Sequence, residues 1–322
     1  VGLPDGFSVG HSTDRDGWTG CTVILAPEGA VAAGEVRGGG PGTREGDLLS
    51  PASTAPGVQA LVLTGGSAFG LGAAEGVMRW LEERDLGYET PAARVPLVAG
   101  AVVYDLMLGD GAARPSPADG YAACEVARPE PERGTVGAGT GCTVGKLGGP
   151  GSWTKGGVGV TSLALDGATV AALAVVNAFG EVVGEDGAVI AGVWRDGGYV
   201  RTVDLILAGE IPARSSREST TLVCLLTDAA LTKTEAWLAA RAASAGLARA
   251  VDPSSTVVDG DFACCLSSAS VTVDPLALSA VAAEAATLAI RDAVRQATGA
   301  PSCPAARDRP SRLSPPWTSA AG

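Results

Sequence analysis

Glu218-Ser-Thr-Thr-Leu-Val-Cys-Leu-Leu-Thr227 is the stretch on which the reading of this chain turns. A polar, charge-bearing run from Pro212 to Ser219 gives way there to a continuous apolar segment that opens with Thr220 and Thr221. An apolar run of about five to eight residues with β-branched members predicts a buried strand. The first residue of that strand has two readings. The threonines can simply begin the strand, as β-branched residues often do, or Thr220 can act as a nucleophile, provided that a neighbouring group takes its proton.

Composition narrows the choice. The chain has 322 residues, and no charged, Ser-rich or Pro-rich linker divides its interior, so one large domain over 1–300 is expected. The Pro-, Ser- and Ala-rich tail, 301–322, is expected to be disordered. With 46% hydrophobic residues, 46 glycines and only 4% aromatics, the core must be built from small, closely packed side chains. A net charge of −12 argues against a nucleic-acid partner, which needs clustered Lys and Arg to neutralise phosphates. No polybasic run suits an anionic membrane surface, and no apolar span is long enough to cross one.

The cysteines, Cys21, Cys124, Cys142, Cys224, Cys264, Cys265 and Cys303, are odd in number and scattered through apolar runs. They read as reduced, buried small hydrophobes. None has metal-ligand spacing, so neither metal nor cofactor is expected. No basic segment followed by an apolar one opens the chain, and the expected compartment is the cytoplasm. The single histidine, His11, lies in the polar stretch Val9-Gly-His-Ser-Thr-Asp14, expected to be a turn. A histidine-based triad would have to use it, and a hydrolase of this sequence is expected to use another base.

Along the chain, residues 1–20 read as turns, Cys21 to Ala26 and Ala60 to Thr64 as strands, and Ser67 to Arg84 as a helix with Ser67 as N-cap and Phe69 on its apolar face. Leu97 to Leu106 reads as a strand ending near Tyr104, and Pro117 to Val126 as a helix. Val158 to Leu165 and Thr169 to Val176 form a hairpin across Asp166-Gly167, and the return strand ends on Asn177. A second strand pair flanks Asp186-Gly187. Thr232-Lys-Thr-Glu235 is a capping box that opens a helix to about Ala250. Asp259-Gly-Asp261 leads into the strand Phe262 to Leu266, and Asp274-Pro275 starts a helix that runs to about Thr298. Hairpin-joined strands between helical blocks predict a mainly antiparallel α+β layered sandwich rather than a doubly wound parallel sheet.

The glycine-dense run Gly134 to Lys146 invites a phosphate-loop reading, but the spacing is wrong. Thr140 and Leu147 stand where a Walker loop needs Gly and Ser or Thr, and Cys142 replaces the last glycine of a dinucleotide fingerprint. What remains is a loop that delivers one lysine, Lys146.

Gly10-His-Ser-Thr-Asp14 with Gly20-Cys-Thr-Val23, Thr64-Gly-Gly-Ser-Ala-Phe-Gly70, Ala101-Val-Val-Tyr-Asp105, Gly137 to Lys146, Val175-Val-Asn177, Ser219-Thr-Thr221 and Asp259-Gly-Asp261 occur in this order. In that order the chain resembles the β-aminopeptidase family, the L-aminopeptidase/D-esterase type, and most of all its nylon-oligomer endo-amidase branch, over residues 5 to 297. The resemblance implies a four-layer αββα sandwich similar to that of N-terminal-nucleophile hydrolases. It also implies a precursor that cuts itself, here between Ser219 and Thr220, into chains 1–219 and 220–322. The nylon-oligomer branch commonly carries Asn before the cut, where this chain has Ser219.

The freed amine of Thr220 would then serve as the base that the sequence otherwise lacks. By position, Lys146 would lie beside the nucleophile and Asn177 would serve the oxyanion or the amine. Asp259 and Asp261 would hold the amine and Lys146, and Tyr104 would line the substrate pocket. The implied substrates are small peptides, β-peptides or nylon-type oligoamides, taken by an aminopeptidase or an endo-amidase, and the implied assembly is a homo-oligomer, commonly a tetramer. Two other readings are acyl transfer of the ornithine acetyltransferase type and an uncut, non-catalytic binding or assembly protein.

Overall fold

The structure, a computed structural model, describes residues 2–211 and 218–309. The polar run at 212–217 and the tail at 310–322 lie outside the described residues. The strands that build the body are β1 (Ser8–Asp14), β2 (Thr19–Leu25), β3 (Val31–Val36), β4 (Thr43–Arg44), β5 (Ala60–Thr64), β6 (Val98–Val102), β7 (Gly157–Leu165), β8 (Ala168–Asn177), β9 (Thr220–Ala229) and β10 (Phe262–Val271). The long helices are α1 (Ala73–Glu82), α2 (Pro117–Glu125), α3 (Lys233–Ala250) and α4 (Pro275–Gln296).

The strands form two sheets, ordered β1-β2-β5-β6-β4 and β7-β8-β9-β10-β3. Neighbours within each sheet are antiparallel except β5/β6 and β9/β10. Each parallel pair is joined through a helix, α1 in the first sheet and α3 in the second, because two parallel strands cannot be linked by a tight turn.

Alternation along the strands creates the layers. In β9, Leu222, Cys224 and Leu226 face the first sheet, meeting Leu61, Leu63, Ala99 and Ala101 in the central core. Val223 and Leu225, between them, face the helices and pack with Ala239, Ala243, Ala286 and Ile290. Helices α1 and α2 cover the outer face of the first sheet through Ala74, Val77, Leu81 and Ala123 against Val23 and Val62. The order is therefore helix, sheet, sheet, helix: the αββα sandwich. All seven cysteines are buried free thiols. No described helix is long and apolar enough to cross a membrane.

The structure differs from the sequence reading in three places. Residues 8–14, expected as part of a turn, are strand β1, with His11 opposite Thr22. The glycine that suggested a turn serves a close approach instead: a Cβ on Gly10 would sit 1.8 Å from the Ala123 carbonyl oxygen of α2. Ser67 does not cap a helix. It adopts a left-handed φ of 53°, where the extended backbone of an N-cap is not available, and Ser67–Gly72 is a 3-10 turn leading into α1. Phe69 on that turn is exposed, with the Arg114 guanidinium stacked over its ring. Finally, residues 301–309, expected within the disordered tail, are docked: Cys303 is buried, the Pro304 carbonyl accepts the Lys155 amide at 2.9 Å, and Ala306–Asp308 is a 3-10 turn.

Small-residue packing makes a testable prediction in α3. Gly246→Ala gains about 1 kcal/mol of helix propensity. The new Cβ, however, would stand 2.1 Å from the Ala283 carbonyl oxygen of α4, and the Thr287 hydroxyl that bonds the Gly246 carbonyl at 3.0 Å would have to move with α4. Prising two backbones apart costs about 1–3 kcal/mol, so a net loss is expected, read as a lower urea midpoint with unchanged slope. An equal or higher midpoint would show that the helix pair separates without cost.

Candidate active site

Thr220 begins β9 and is 5% exposed. Its register partner is Asn177, the last residue of β8. Asn177 is fully buried and joins three segments at once. Its Oδ1 accepts the Thr143 amide at 3.0 Å and the Lys146 ammonium at 2.8 Å, and its Nδ2 donates to the Tyr104 carbonyl at 2.8 Å. Lys146 also bonds the Thr143 hydroxyl. Its Nζ lies 5.2 Å from the centre of the Trp153 ring, whose indole N–H donates to the Lys146 carbonyl at 3.2 Å.

Burial of this ammonium lowers the Lys146 pKa from 10.5 to about 8, against a smaller opposing pull from the thiols of Cys142 and Cys303 and from Asp105. The cation is therefore still present at neutral pH, but held by neutral oxygens.

On the other side of Thr220 stands the segment before β10. Ser219 and Asp259 form an isolated parallel bridge. Asp259 accepts the Ser219 hydroxyl at 2.9 Å on Oδ1, and the Thr256 amide and hydroxyl at 2.9 and 2.6 Å on Oδ2. Asp261 accepts the Thr221 amide at 2.7 Å on Oδ1 and the Ser255 amide at 2.7 Å on Oδ2. Burial, followed by the neighbouring charge of Asp259, holds the Asp261 carboxyl well above the usual carboxylate range. Between them, the Gly260 N–H donates to the Ser219 carbonyl at 2.8 Å. The Thr220 Oγ1 donates to that same carbonyl oxygen at 2.5 Å.

Thr220 and the half-buried Tyr104 open onto a cavity of about 350 Å³ whose walls include Gly40, Gly42, Ser67 and Val257. The glycine-dense loop before β4 shapes one wall: the Gly39 amide donates to the Thr256 carbonyl at 3.1 Å and the Gly40 amide to the Asp259 carbonyl at 2.8 Å.

All the residues singled out in the sequence, Thr220, Ser219, Lys146, Asn177, Asp259, Asp261 and Tyr104, thus converge. One expected contact is different. Asp259 and Asp261 grip the residues on either side of Thr220, whereas Lys146 is held by Asn177 and Thr143. The reason is topological, since the aspartates precede β10 and Lys146 approaches from beyond β8.

Several contributors escaped the sequence reading. Thr143 anchors Lys146. Asp105 is buried, accepting the Gly66 amide at 2.7 Å and the Thr19 hydroxyl at 2.8 Å, and burial raises its pKa. A charged residue ending the apolar strand after Tyr104 was the available signal. Lys155 is fully buried, and its Nζ donates to the carbonyls of Gly139, Cys142 and Gly156 at 2.8, 2.9 and 3.0 Å, which staples the glycine run that carries Lys146. Nothing in its local sequence marks it.

His11 lies outside this group. Its Nδ1 pairs with the Thr22 hydroxyl at 2.9 Å, and burial lowers its pKa to about 4. Among the described residues no group of His, Cys, Asp and Glu is placed to hold a metal ion.

Comparison with known proteins gives a consistent result. The family model for peptidase family S58 matches residues 5–304. An uncharacterized aminopeptidase of Mycobacterium leprae is 40% identical over 310 residues, spanning 85% of this chain and 81% of the relative. A 6-aminohexanoate-oligomer endohydrolase of Paenarthrobacter ureafaciens is 31% identical over 265 residues, spanning 80% and 71%. Among solved structures, the L-aminopeptidase D-Ala-esterase/amidase of Ochrobactrum anthropi, described as a variant of the Ntn hydrolase fold, superposes with a TM-score of 0.69 at 20% identity, covering 94% of this chain and 90% of that one. A Burkholderia β-aminopeptidase superposes at 0.67 with 22% identity, covering 95% and 91%. At these identities the two structures show the fold.

The depressed Lys146 pKa has a consequence for stability. The folded chain binds this proton less tightly than the unfolded chain, whose lysine titrates near 10.5. The cost is fully present below about pH 8 and fades as the pH rises toward 10.5. It is on the order of 3 kcal/mol. Lys146→Met removes the charge and leaves Asn177 Oδ1 bonded to the Thr143 amide. The variant is expected to melt higher than the parent at pH 7, with the gain shrinking toward pH 10. A lower melting temperature at pH 7 would mean that the ammonium's hydrogen bonds outweigh its desolvation.

Proposed function

The chain belongs to peptidase family S58, an amide hydrolase, and we propose that it is a self-processing one whose nucleophile is the Thr220 hydroxyl, released by a cut between Ser219 and Thr220. What carries the reading is the placement of Thr220: a buried hydroxyl at the mouth of the cavity, with Asn177 and Lys146 on one side and a paired carboxylate clamp on the other.

The chemistry follows from acidities. An alkyl hydroxyl does not ionise at neutral pH and needs a base within reach. His11 is bonded to Thr22 and is a weak base at about 4. A cut before Thr220 supplies an α-amine on the nucleophile itself, with an ordinary pKa near 8. The buried Lys146 cation biases that amine toward its neutral, proton-accepting form.

Thr220 Oγ1 then attacks the amide carbonyl carbon of the substrate while its proton passes to the amine. The resulting oxyanion is stabilised by the Lys146 charge and the Asn177 amide, both held in place before the reaction begins. The carbon–nitrogen bond breaks as the leaving amine takes the proton, leaving an ester on Thr220. Water attacks that ester, the amine again takes the proton, and the carboxylic acid departs as the hydroxyl is restored. Asp259 and Asp261 hold the strand start on which the nucleophile sits, and Tyr104 lines the cavity for the acyl part of the substrate.

Peptides, β-peptides and nylon-type oligoamides are the proposed substrates. The small walls at Gly40, Gly42 and Ser67 suit a slender chain, and the relatives' names include both aminopeptidases and an oligoamide endohydrolase.

The purified protein is expected to separate under denaturing conditions into fragments Val1 to Ser219 and Thr220 to Gly322, seen by intact mass, with Thr220→Ala remaining whole and inactive on amide substrates. A wild-type chain that hydrolyses amides yet keeps its full mass after long incubation would remove the self-processing mechanism.

A further inference from the structure

We propose that Asp259 and Gly260 form the apparatus of the self-cut: the Gly260 N–H receives the negative charge that develops on the Ser219 carbonyl oxygen, and the Ser219 hydroxyl, latched to Asp259, holds that carbonyl in place. This rests on the self-processing reading above and assigns the Gly260 N–H and the Ser219 hydroxyl tasks of their own in the cut.

The scissile carbonyl is held from several sides. Its oxygen accepts the Gly260 N–H at 2.8 Å and lies 2.5 Å from the attacking Thr220 Oγ1. Its residue is pinned twice more, by the parallel bridge to Asp259 and by the 2.9 Å bond from its hydroxyl to Asp259 Oδ1. The other carboxylate oxygen is already tied to the amide and hydroxyl of Thr256 at 2.9 and 2.6 Å, so the latch closes on a carboxylate that cannot swing. Only glycine fits at 260, because a Cβ there would meet Thr220 Oγ1 at 2.7 Å and the Gly40 carbonyl at 2.9 Å.

The step balances within the chain and one water. Thr220 Oγ1 bonds to the Ser219 carbonyl carbon, and the electron pair of the C=O moves onto the oxygen that faces Gly260. The hydroxyl proton reaches the peptide nitrogen, the C–N bond breaks, and Ser219 is left as an ester on Thr220. Water then cleaves the ester, giving a Ser219 carboxylate and a Thr220 with free hydroxyl and amine. A preformed donor aimed at the developing oxyanion lowers the barrier without reorganising at the moment of reaction. A hydroxyl bonded to a charged partner contributes about 1.5–3 kcal/mol where that geometry matters.

The test follows cutting of the freshly synthesised full chain by intact mass over time. Ser219→Thr keeps the hydroxyl and Ser219→Val is its isostere without one. The valine variant is expected to cut about ten- to a hundred-fold more slowly than wild type, the threonine variant within about three-fold of it, at equal melting temperatures. Ser219→Ala repeats the comparison if valine impairs folding. Replacing Gly260 by glycolic acid through nonsense suppression exchanges the N–H for an ester oxygen and is expected to slow the cut about a hundred-fold or more. Equal rates for threonine and valine remove the latch, and a wild-type rate for the ester removes the donor. A wild-type chain that never cuts defeats the self-processing reading itself, an outcome distinct from both.

Discussion

A primary ammonium loses most of its hydration when it is buried, and Lys146 recovers only part of it through the neutral oxygens of Thr143 and Asn177. That imbalance depresses its pKa to about 8, and it leaves a positive charge buried beside the start of β9. An ion pair would neutralise the group and spend its field on a permanent partner. The architecture around Lys146 reads as the means of keeping the charge buried and uncancelled. Asn177 is fixed by β8 and by the Tyr104 carbonyl, Trp153 covers the ammonium, and Lys155 staples the loop that delivers it.

The convergence of distant residues on Thr220 follows from strand direction. Because β9 and β10 run parallel, their starts lie side by side, so the residues just before β10, Asp259 to Asp261, fall against Ser219 to Thr221. Because β8 runs antiparallel to β9, its end falls on the opposite flank and brings Asn177 to Thr220. A strand with one parallel and one antiparallel neighbour therefore has, at its first residue, the preceding loop of one and the last residue of the other. The pairing register that buries Leu222, Cys224 and Leu226 between the sheets is the register that sets the site, and a slip by one residue would turn Thr220 and the core side chains to the opposite face together.

What could be read from sequence was whatever has a short period or a local cap. Alternation gave β7, the Asp166-Gly167 turn its partner β8 and a continuous apolar run β9, and the Thr232/Glu235 box opens α3 as expected, with the Thr232 amide donating to Glu235 at 2.8 Å. Glycine was the ambiguous signal. At Asp166-Gly167 it marked a hairpin turn, but at Gly10 the same residue type marked the close approach of α2 and hid a strand. Lys155 was invisible because its partners are backbone carbonyls, which carry no side-chain signature. That Lys146 lies away from Asp259 and Asp261 was not legible because sequence order does not say on which side of Thr220 a loop arrives; the parallel pairing of β9 with β10 decides it.

The two displaced titrations then have a common origin. Lys146 is pushed toward losing its proton and Asp261 toward keeping one, each mainly by burial, so both shifts reduce the charge buried in the fold. Direct contact between them would reverse both shifts and lock the pair. Instead Lys146 is bonded beyond β8 and Asp261 before β10, with the start of β9 between them. The Thr220 hydroxyl therefore lies between a buried cation on one flank and carboxyl groups that hold the backbone on the other. Separating the charges across one strand leaves the burial of each group uncompensated by the other, a cost to stability on both sides.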